Sequence, residues 1–313
     1  MAPPASTSLT RIQFEVQDYD LAATLTSGQA FRWQLCGDCW EGVIGQCWVR
    51  LTSTERRVVA EVMEEHSSCV WLADYLQLKV DLSKILDAFP TDEPMRLAVR
   101  ACRGLRLLRQ DPWECLASFI LSSNKQIVQI QQIVRSLCEQ FGDRVSVPPG
   151  HPPVYSFPTA HRLAQCSQGE LRACKMGFRA AYLHKAAEMI AAAEVELEAV
   201  ASLPVAQARD SLLKFPGVGR KIADCVLLFA YGFHRAFPID VWVTKALRQL
   251  YFAGRSVPRS RLESFSQDHF GPFAGYAQQY LFHYMRQRAG RLRLEPVHSE
   301  RASVRPPGRS IAT

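Results

Sequence analysis

Apolar and polar residues alternate with a period of two through the first part of the chain. The alternation is clearest over residues 12–16, 47–51 and 58–62. Gly37-Asp38 and Gly45-Gln46 separate such runs, and both pairs are turn signals. Because successive side chains of a strand point to opposite faces, the pattern predicts an antiparallel sheet with one buried face.

After about Asp74 the apolar spacing becomes that of helices, as in Leu82, Ile85, Leu86 and Phe89. Asp111-Pro112 combines an N-cap residue with a proline suited to a first helical turn. Further helices are predicted up to Leu121 and over 127–141, about 158–200 and about 206–290. The five prolines between Val145 and Pro158 predict a loop there.

These patterns predict an α+β protein in which an antiparallel β-sheet domain is followed by a larger all-α region. The predicted boundaries are a disordered leader over 1–10, the sheet domain over 11–105, the helical region over 106–290 and a basic, disordered tail over 291–313.

Composition narrows the choice of partner. A hydrophobic fraction of 48% with 21% charged residues is typical of a soluble globular protein. The net charge of +7 favours a polyanionic partner such as nucleic acid. The first ten residues contain no apolar segment, and no stretch approaches membrane-spanning length, so we expect an intracellular protein with no membrane partner.

Ten cysteines occur without a repeated spacing. Cys36 and Cys39 form one CxxC, and no second CxxC or CxxH supplies further zinc ligands. A hairpin tip with free thiols is the favoured interpretation, and a zinc or redox role stays open. We expect no metal site and no cofactor.

A glycine-rich hairpin is the most informative segment. In Lys214-Phe215-Pro216-Gly217-Val218-Gly219-Arg220-Lys221, a helix ends, two glycines allow a tight turn, and a second helix begins near Arg220. Glycine leaves backbone N–H groups uncovered at a helix start, where a phosphate oxygen can bind. Val218 would insert into the core. The segment at about 206–230 therefore predicts a helix-hairpin-helix that grips a DNA backbone through Gly217 and Gly219.

Lys221 and Asp240 add possible chemistry to this hairpin. Lys221 lies on the first turn of the second helix, and Asp240 is placed to cap the next one. An amine can attack an anomeric carbon while a carboxylate stabilises the cationic sugar. The spacing alone equally allows a lysine that binds phosphate and an aspartate that only caps a helix.

The block from Phe215 to Val241 resembles the helix-hairpin-helix DNA glycosylase superfamily, and within it the chain resembles the 8-oxoguanine DNA glycosylase/AP lyase family. The resemblance runs from about Ile12 to about Gln287. It is carried by five further segments in order, which are 27–33 (SGQAFRW), 107–112 (LLRQDP), 118–124 (SFILSSN), 176–180 (MGFRA) and 271–278 (GPFAGYAQ).

The resemblance implies a role for each matching residue at the damaged base. Lys221 would be the Schiff-base nucleophile and Asp240 its acidic partner. Gln278 would bond the Watson–Crick edge, with Phe282 and Cys225 against the two faces of the base. For Cys225 and Phe282, a plain core position is the alternative from sequence alone.

Gly28 would discriminate the lesion from guanine, whose N7 is an acceptor. Oxidation at C8 places a proton on N7, which the carbonyl of Gly28 would accept. A simple turn glycine is the alternative.

Other matching residues would contact the opposite strand. Asn124 would enter the gap left by the extruded base, Phe178 would wedge the stack, and Arg179 would bond the orphaned partner. The chain departs from the family at two positions. Gln129 stands where a second arginine is usual, and Trp242 where histidine is common; both bear on fine specificity at the DNA.

The sequence thus predicts a monomeric, bifunctional DNA N-glycosylase/AP lyase that acts on duplex DNA containing oxidised guanine, in the nucleus if the organism is a eukaryote. A glycosylase for another oxidised base and a non-catalytic DNA-binding module are the alternatives. An iron–sulfur enzyme of the endonuclease III type is excluded because no cysteine follows Cys225. No phosphate-binding GxxxxGK[ST] or GxGxxG motif occurs.

Overall fold

The structure is a computed structural model that describes residues 8–64 and 70–290. The predicted tail over 291–313 and residues 1–7 of the predicted leader lie outside the described residues. Residues 8–10, which were predicted to be disordered, belong to the first strand, which begins at Ser8.

Five antiparallel strands form the predicted sheet. Gly37 and Gly45 both have positive φ, 61° and 57°, at the two tightest turns, as their sequence context indicated. The strands are β1 (Ser8–Glu15), β2 (Gln34–Cys36), β3 (Cys39–Ile44), β4 (Cys47–Ser53) and β5 (Arg57–Glu64). Their order in the sheet is β1-β5-β4-β3-β2.

The sheet is covered on parts of both faces, so the prediction of a single buried face is wrong in part. One face packs on a cluster that includes Trp33, Leu51 and Leu72. The other face carries a smaller cluster built on Trp48 and Val145. The second face is buried by residues distant in sequence, such as Val145, and the period-two pattern of the strands alone does not predict that contact.

The predicted loop over 145–158 contains a short two-stranded sheet, β6 (Arg144–Val145) with β7 (Val154–Tyr155). Gly142 enables it, because a Cβ there would overlap the carbonyl oxygen of Ser156. Asp143 N–H donates to Ser156 Oγ at 3.1 Å and Ser156 N–H donates to the carbonyl of Asp143 at 2.8 Å, which closes the ladder.

Helices account for most of the remainder, and Asp111 caps one of them as predicted. They are α1 (Leu21–Thr26), α2 (Val70–Tyr75), α3 (Leu82–Asp87), α4 (Glu93–Cys102), α5 (Pro112–Leu121), α6 (Ile127–Phe141), α7 (Ala160–Ala164), α8 (Gln168–Ala173), α9 (Arg179–Ala191), α10 (Leu197–Val200), α11 (Val205–Leu213), α12 (Arg220–Val226), α13 (Val241–Tyr251), α14 (Arg259–His269) and α15 (Ala274–Arg288). A π-helical segment, Leu227–Tyr231, continues α12, and a 3₁₀ turn, Gly271–Phe273, precedes α15.

The larger hydrophobic core lies in the helical region and includes α3 and α4, which the predicted boundary at residue 105 assigned to the sheet domain. Met95 and Ala98 of α4 are fully buried in this core, and α4 packs along α15. Within the described residues, no helix has both the length and the apolar character needed to cross a bilayer.

Candidate active site

The hairpin joins α11 to α12, and its two glycines have different structural tasks. Val218 is 6% exposed and inserts into the helical core, as predicted. Gly217 has φ +76°, and a Cβ there would lie 2.6 Å from the Tyr182 ring. A Cβ on Gly219 would meet nothing within 4 Å. Gly217 is therefore required by the fold of the hairpin, whereas Gly219 leaves its backbone open to approach from outside.

Lys221 extends from the first turn of α12 towards the end of α5. Its Nζ donates to Ser122 Oγ at 3.4 Å and lies 5.1 Å from the centroid of the Phe119 ring. The neighbouring Arg220 forms a long contact with Asp224 instead, at 3.8 Å. Lys221 and Asp240 line the same cleft.

Asp240 is the N-cap of α13, and Oδ1 accepts from the backbone N–H of Val243 at 2.8 Å. Burial raises the pKa of this carboxyl group above its usual value of 3.8, while the Val243 N–H and the Lys221 charge act to lower it. Asp240 therefore caps α13, as predicted, and it also lines the cleft.

The cleft has a volume of about 1920 Å³, larger than the usual 300–1,000 Å³ small-molecule pocket. It brings together seven of the thirteen predicted site residues, which are Gly28, Asn124, Gln129, Lys221, Asp240, Trp242 and Phe282. The other six, which are Phe178, Arg179, Gly217, Gly219, Cys225 and Gln278, are not in its lining.

Cys225 and Gln278 are buried, at 3% and 4% exposure, and each lies one helical turn from a residue that lines the cleft, Lys221 and Phe282 respectively. Burial raises the pKa of the Cys225 thiol to about 12, so this sulfur is neutral at physiological pH. The side-chain carbonyl oxygen of Gln278 is buried and has no hydrogen-bond partner among the described residues. An unsatisfied buried acceptor is costly, so this oxygen remains available to a hydrogen-bond donor.

Gly28 lies in a loop with φ +78°, a conformation that favours glycine. A Cβ there would come within 2.7 Å of Ile127 Cδ1 and 3.3 Å of Phe282 Cε1. Because Gly28 has no side chain, its backbone can lie close to both Ile127 of α6 and the Phe282 ring.

The predicted opposite-strand residues form a connected group. Phe178 is 56% exposed at the start of α9, and the guanidinium of Arg179 stacks over its ring at 4.4 Å. Arg179 is buried and donates to the carbonyls of Ser123 and Met176. It therefore ties the Phe178 side of the site to the loop that carries Asn124, which has φ +53°.

Gln129 and Trp242 lie at the cleft wall. Gln129 is exposed, and its Oε1 accepts from the backbone N–H of Gln126 at 3.1 Å. That bond leaves the amide donors of Gln129 directed away from the helix start. Trp242 is half-buried, with Lys245 Nζ 5.6 Å from its ring centroid.

Cys36 and Cys39 are paired across the β2–β3 hairpin, which confirms the hairpin tip. Both are free thiols, and burial raises the pKa of each.

Ser122 and Arg286 are cleft residues to which the sequence analysis gave no role. Ser122 appeared only as part of a matching segment, and its contact with Lys221 depends on two helices meeting in space. Arg286 lines the cleft beside Phe282. Its position could have been found, because residues 278, 282 and 286 repeat at the four-residue spacing of one helix face.

Comparison with known proteins agrees with this geometry. Residues 11–116 match the N-terminal domain of 8-oxoguanine DNA glycosylase, and residues 117–270 match the HhH-GPD superfamily of base excision DNA repair proteins. The N-glycosylase/DNA lyase OGG1 of Arabidopsis thaliana is 30% identical over 84% of this chain and 76% of its own length. A probable N-glycosylase/DNA lyase of Methanothermobacter thermautotrophicus is 28% identical over 88% of this chain and 96% of its own length.

A similar solved structure is the Clostridium acetobutylicum 8-oxoguanine glycosylase/lyase with double-stranded DNA containing cytosine opposite 8-oxoguanine. It superposes with a TM-score of 0.82 at 32% identity, covering 89% of this chain and 98% of that one.

Proposed function

Since the chain belongs to the 8-oxoguanine DNA glycosylase family of HhH-GPD base excision repair proteins, we propose that it removes 8-oxoguanine from duplex DNA with Lys221 as nucleophile and Asp240 as its acidic partner. The chain is a bifunctional DNA N-glycosylase and AP lyase. The observation that carries the residue assignment is that Lys221, Asp240, Gly28 and Phe282 line one cleft large enough for an extruded nucleotide and its flanking strand.

Recognition begins at the DNA backbone. The open N–H face of Gly219 at the start of α12 receives a phosphate oxygen. Phe178 wedges the stack from its exposed position, and Asn124 enters the gap. These contacts offset part of the few kcal/mol that base extrusion costs.

In the base pocket, the Gly28 carbonyl accepts from N7–H, a proton that guanine lacks. Phe282 stacks on one face, and the unpartnered Oε1 of Gln278 accepts from the Watson–Crick edge of the base. A site built to accept from a particular N–H disfavours the analogue that lacks it, because the buried acceptor then stays unpaired.

The chemistry follows from the two groups at the other end of the cleft. The neutral Lys221 amine attacks C1′, and the C1′–N9 bond breaks while the Asp240 carboxylate stabilises the positive charge on the sugar. The sugar ring then opens: the C1′–O4′ bond breaks, O4′ takes up a proton, and C1′ forms a protonated imine with the Lys221 nitrogen. The imine acidifies the C2′ proton, and its loss with breakage of the C3′–O3′ bond expels the 3′-phosphate, which cleaves the strand on the 3′ side of the lesion. Ser122 Oγ, 3.4 Å from Nζ, orients the amine.

Borohydride trapping tests the nucleophile, because reduction of the imine leaves a stable protein–DNA adduct. With an 8-oxoguanine:cytosine duplex, Lys221→Gln should bind DNA but lose trapping and base release by at least about a thousandfold. Lys185→Gln is the matched control, since Lys185 is exposed on α9 and forms an ion pair with Glu188 at 3.4 Å.

Normal trapping by Lys221→Gln would refute the assignment. A lesion panel distinguishes the alternatives: release of a different oxidised base would replace the substrate, and binding without release of any base would indicate a DNA-binding module.

We further propose that the protein acts as a monomer on duplex DNA containing oxidised guanine, because all the proposed site residues come from one chain. We propose that it acts inside the cell on the DNA, in the nucleus if the organism is a eukaryote. We also propose a sheet unit and a helical unit with the cleft between them, with α3 and α4 on the helical side.

A further inference from the structure

Arg286 places a positive charge inside the cleft at the base end. It lies in the last turn of α15, one turn after Phe282, and is 9% exposed. Its Nη1 donates to the carbonyl of Thr26 at 3.2 Å, and its Cζ lies 5.4 Å from the centroid of the Phe282 ring. The guanidinium is therefore held by backbone and ring contacts rather than by solvent.

Among the described residues, no carboxylate lies within 4.0 Å of the Arg286 guanidinium. Within residues 8–64 and 70–290, every ion pair shorter than 4.0 Å involves other residues. Burial lowers the pKa of Arg286 to about 10, and the Asp240 carboxylate is the group that opposes this shift. The side chain is still cationic at neutral pH. Arginine has five N–H donors, and a buried charge is costly unless it is paired, so the site is suited to an acceptor that arrives with the substrate.

The position of Arg286 indicates which part of the substrate it meets. A Cβ on Gly28 would lie 3.5 Å from Arg286 Nη1 and 3.3 Å from Phe282 Cε1, so the three residues border one space. If the Gly28 carbonyl accepts from N7–H, the atoms on either side of that contact are the oxygens O6 and O8. O6 belongs to the Watson–Crick side, which Gln278 reads. O8 belongs to the sugar side, and Arg286 lines the same cleft as Asp240 and Lys221, the two residues proposed to act at the sugar.

We propose that Arg286 is a further catalytic residue, which donates a hydrogen bond to O8 of the extruded base and stabilises the negative charge that the base acquires as it leaves. This inference rests on the proposed function. When Lys221 Nζ forms its bond to C1′, the C1′–N9 bond breaks and its electron pair goes to N9. N9 is bonded to C8, so the charge spreads onto O8. The proton lost from the Lys221 nitrogen returns to the base through solvent and gives neutral 8-oxoguanine.

The same contact adds discrimination at the chemical step. Guanine has no O8, so its departure gains nothing from the guanidinium. Interactions that strengthen only as charge develops accelerate the reaction, whereas those equally strong in the bound substrate only tighten binding.

The test compares two substrates that differ only in whether a base must leave. Single-turnover cleavage is measured with an 8-oxoguanine:cytosine duplex and with a preformed abasic:cytosine duplex. Arg286→Met should slow base excision by about a hundredfold, with cleavage of the abasic strand changed by less than about twofold. Arg286→Lys, which keeps the charge, should recover at least about a third of that loss on a logarithmic scale. Arg288→Met is the matched control, because Arg288 is exposed two residues further along α15.

Equal loss on both substrates would overturn the proposal, because it would make Arg286 a structural support of the site. Undiminished excision by Arg286→Met would also overturn it. If that variant fails to fold, Arg286→Gln, which is shorter but keeps an N–H donor, is compared on the same two substrates with the same criteria. Failure of the wild-type protein to release 8-oxoguanine would count against the proposed function instead, and that arm is measured first.

Discussion

Asp240 accepts a capping hydrogen bond from Val243 N–H and also lines the cleft. A useful substitution must therefore remove its charge from the cleft without removing the helix cap. Asp240→Asn preserves size and most of the capping ability but removes the charge. We expect single-turnover base excision to fall by about a hundredfold, with DNA affinity nearly unchanged, because the charge acts when the sugar becomes cationic.

The pH profile checks this assignment. Burial raises the pKa of Asp240, so the carboxylate forms only as pH rises through a value above 3.8, and excision should decline on the acid side of that pKa. The raised pKa also means that ionisation of Asp240 opposes folding as pH rises, so the melting temperature of Asp240→Asn at neutral pH should be equal or higher. A lower melting temperature with normal excision would leave Asp240 as a cap alone.

The second prediction at the residue scale is that Gln129 weakens the preference for cytosine opposite the lesion. Cytosine offers the acceptors O2 and N3, which charged arginine donors satisfy better than a neutral amide. Because Oε1 of Gln129 is engaged by Gln126 N–H, its donors are what remain for the orphaned base. Cytosine should be preferred, but about tenfold less than with a second arginine, since a charged bond contributes about 1.5–3 kcal/mol and a neutral one about 1 kcal/mol.

Single-turnover excision opposite each of the four bases measures this preference. Gln129→Arg should sharpen it, and should lower stability slightly because arginine cannot accept the Gln126 N–H. Wild-type rejection of adenine by a thousandfold would mean that another residue reads the orphaned base. Arg179→Ala is a less direct test, because Arg179 also holds the Ser123 carbonyl.

Sequence reasoning succeeded at the residue scale where a residue type and its neighbours define a role. Asp240 follows Ile239 at a helix start, and its capping could be predicted. The contact of Lys221 with Ser122 could not, because these residues are 99 positions apart and meet only through packing of α12 on α5.

At the scale of elements, the hairpin offers a pair of glycines that separates folding from DNA contact. Gly219→Ala adds a methyl group that meets no protein atom, at a φ of −94° that any residue adopts. It should lower affinity for damaged and undamaged duplexes alike, because it blocks the approach of a phosphate, and leave the melting temperature unchanged.

Gly217→Ala is the matched substitution two residues earlier. Its Cβ would lie 2.6 Å from the Tyr182 ring at positive φ, so stability should fall by about 1–3 kcal/mol. Thermal unfolding and binding titrations are run together. Loss of affinity by Gly219→Ala only on damaged DNA would contradict a sequence-independent backbone grip.

The β6–β7 ladder shows why one element escaped prediction. Five prolines in fourteen residues favour a loop, and two-residue strands carry no periodicity. The ladder depends on Gly142 lying against Ser156, a contact between segments that only the folded chain brings together.

For the whole molecule, the order of a sheet unit followed by helices could be predicted, because each pattern is local. Which elements share the larger hydrophobic core could not be predicted. Helices α3 and α4 follow the sheet in sequence but pack in the helical core, where Met95 and Leu105 are fully buried. Amphipathic spacing indicates that a helix buries one face, and it does not identify the partner of that face.

Net charge predicts how the whole protein finds DNA. With 37 lysines and arginines against 30 acidic residues, the excess of +7 favours release of counterions from the duplex on binding. Affinity for undamaged duplex should therefore fall by at least about tenfold between 50 and 200 mM salt, with a slope of about −0.9 per phosphate neutralised. Excision from preformed, saturated complexes should change little over the same range, because Lys221, Asp240 and Arg286 line the cleft, where bound DNA excludes solvent and salt screens charges weakly. Binding titrations and single-turnover kinetics at matched salt concentrations provide the measurement. A flat binding slope would show that apolar contacts dominate affinity, and equal salt sensitivity of the chemical step would place the reacting charges in solvent.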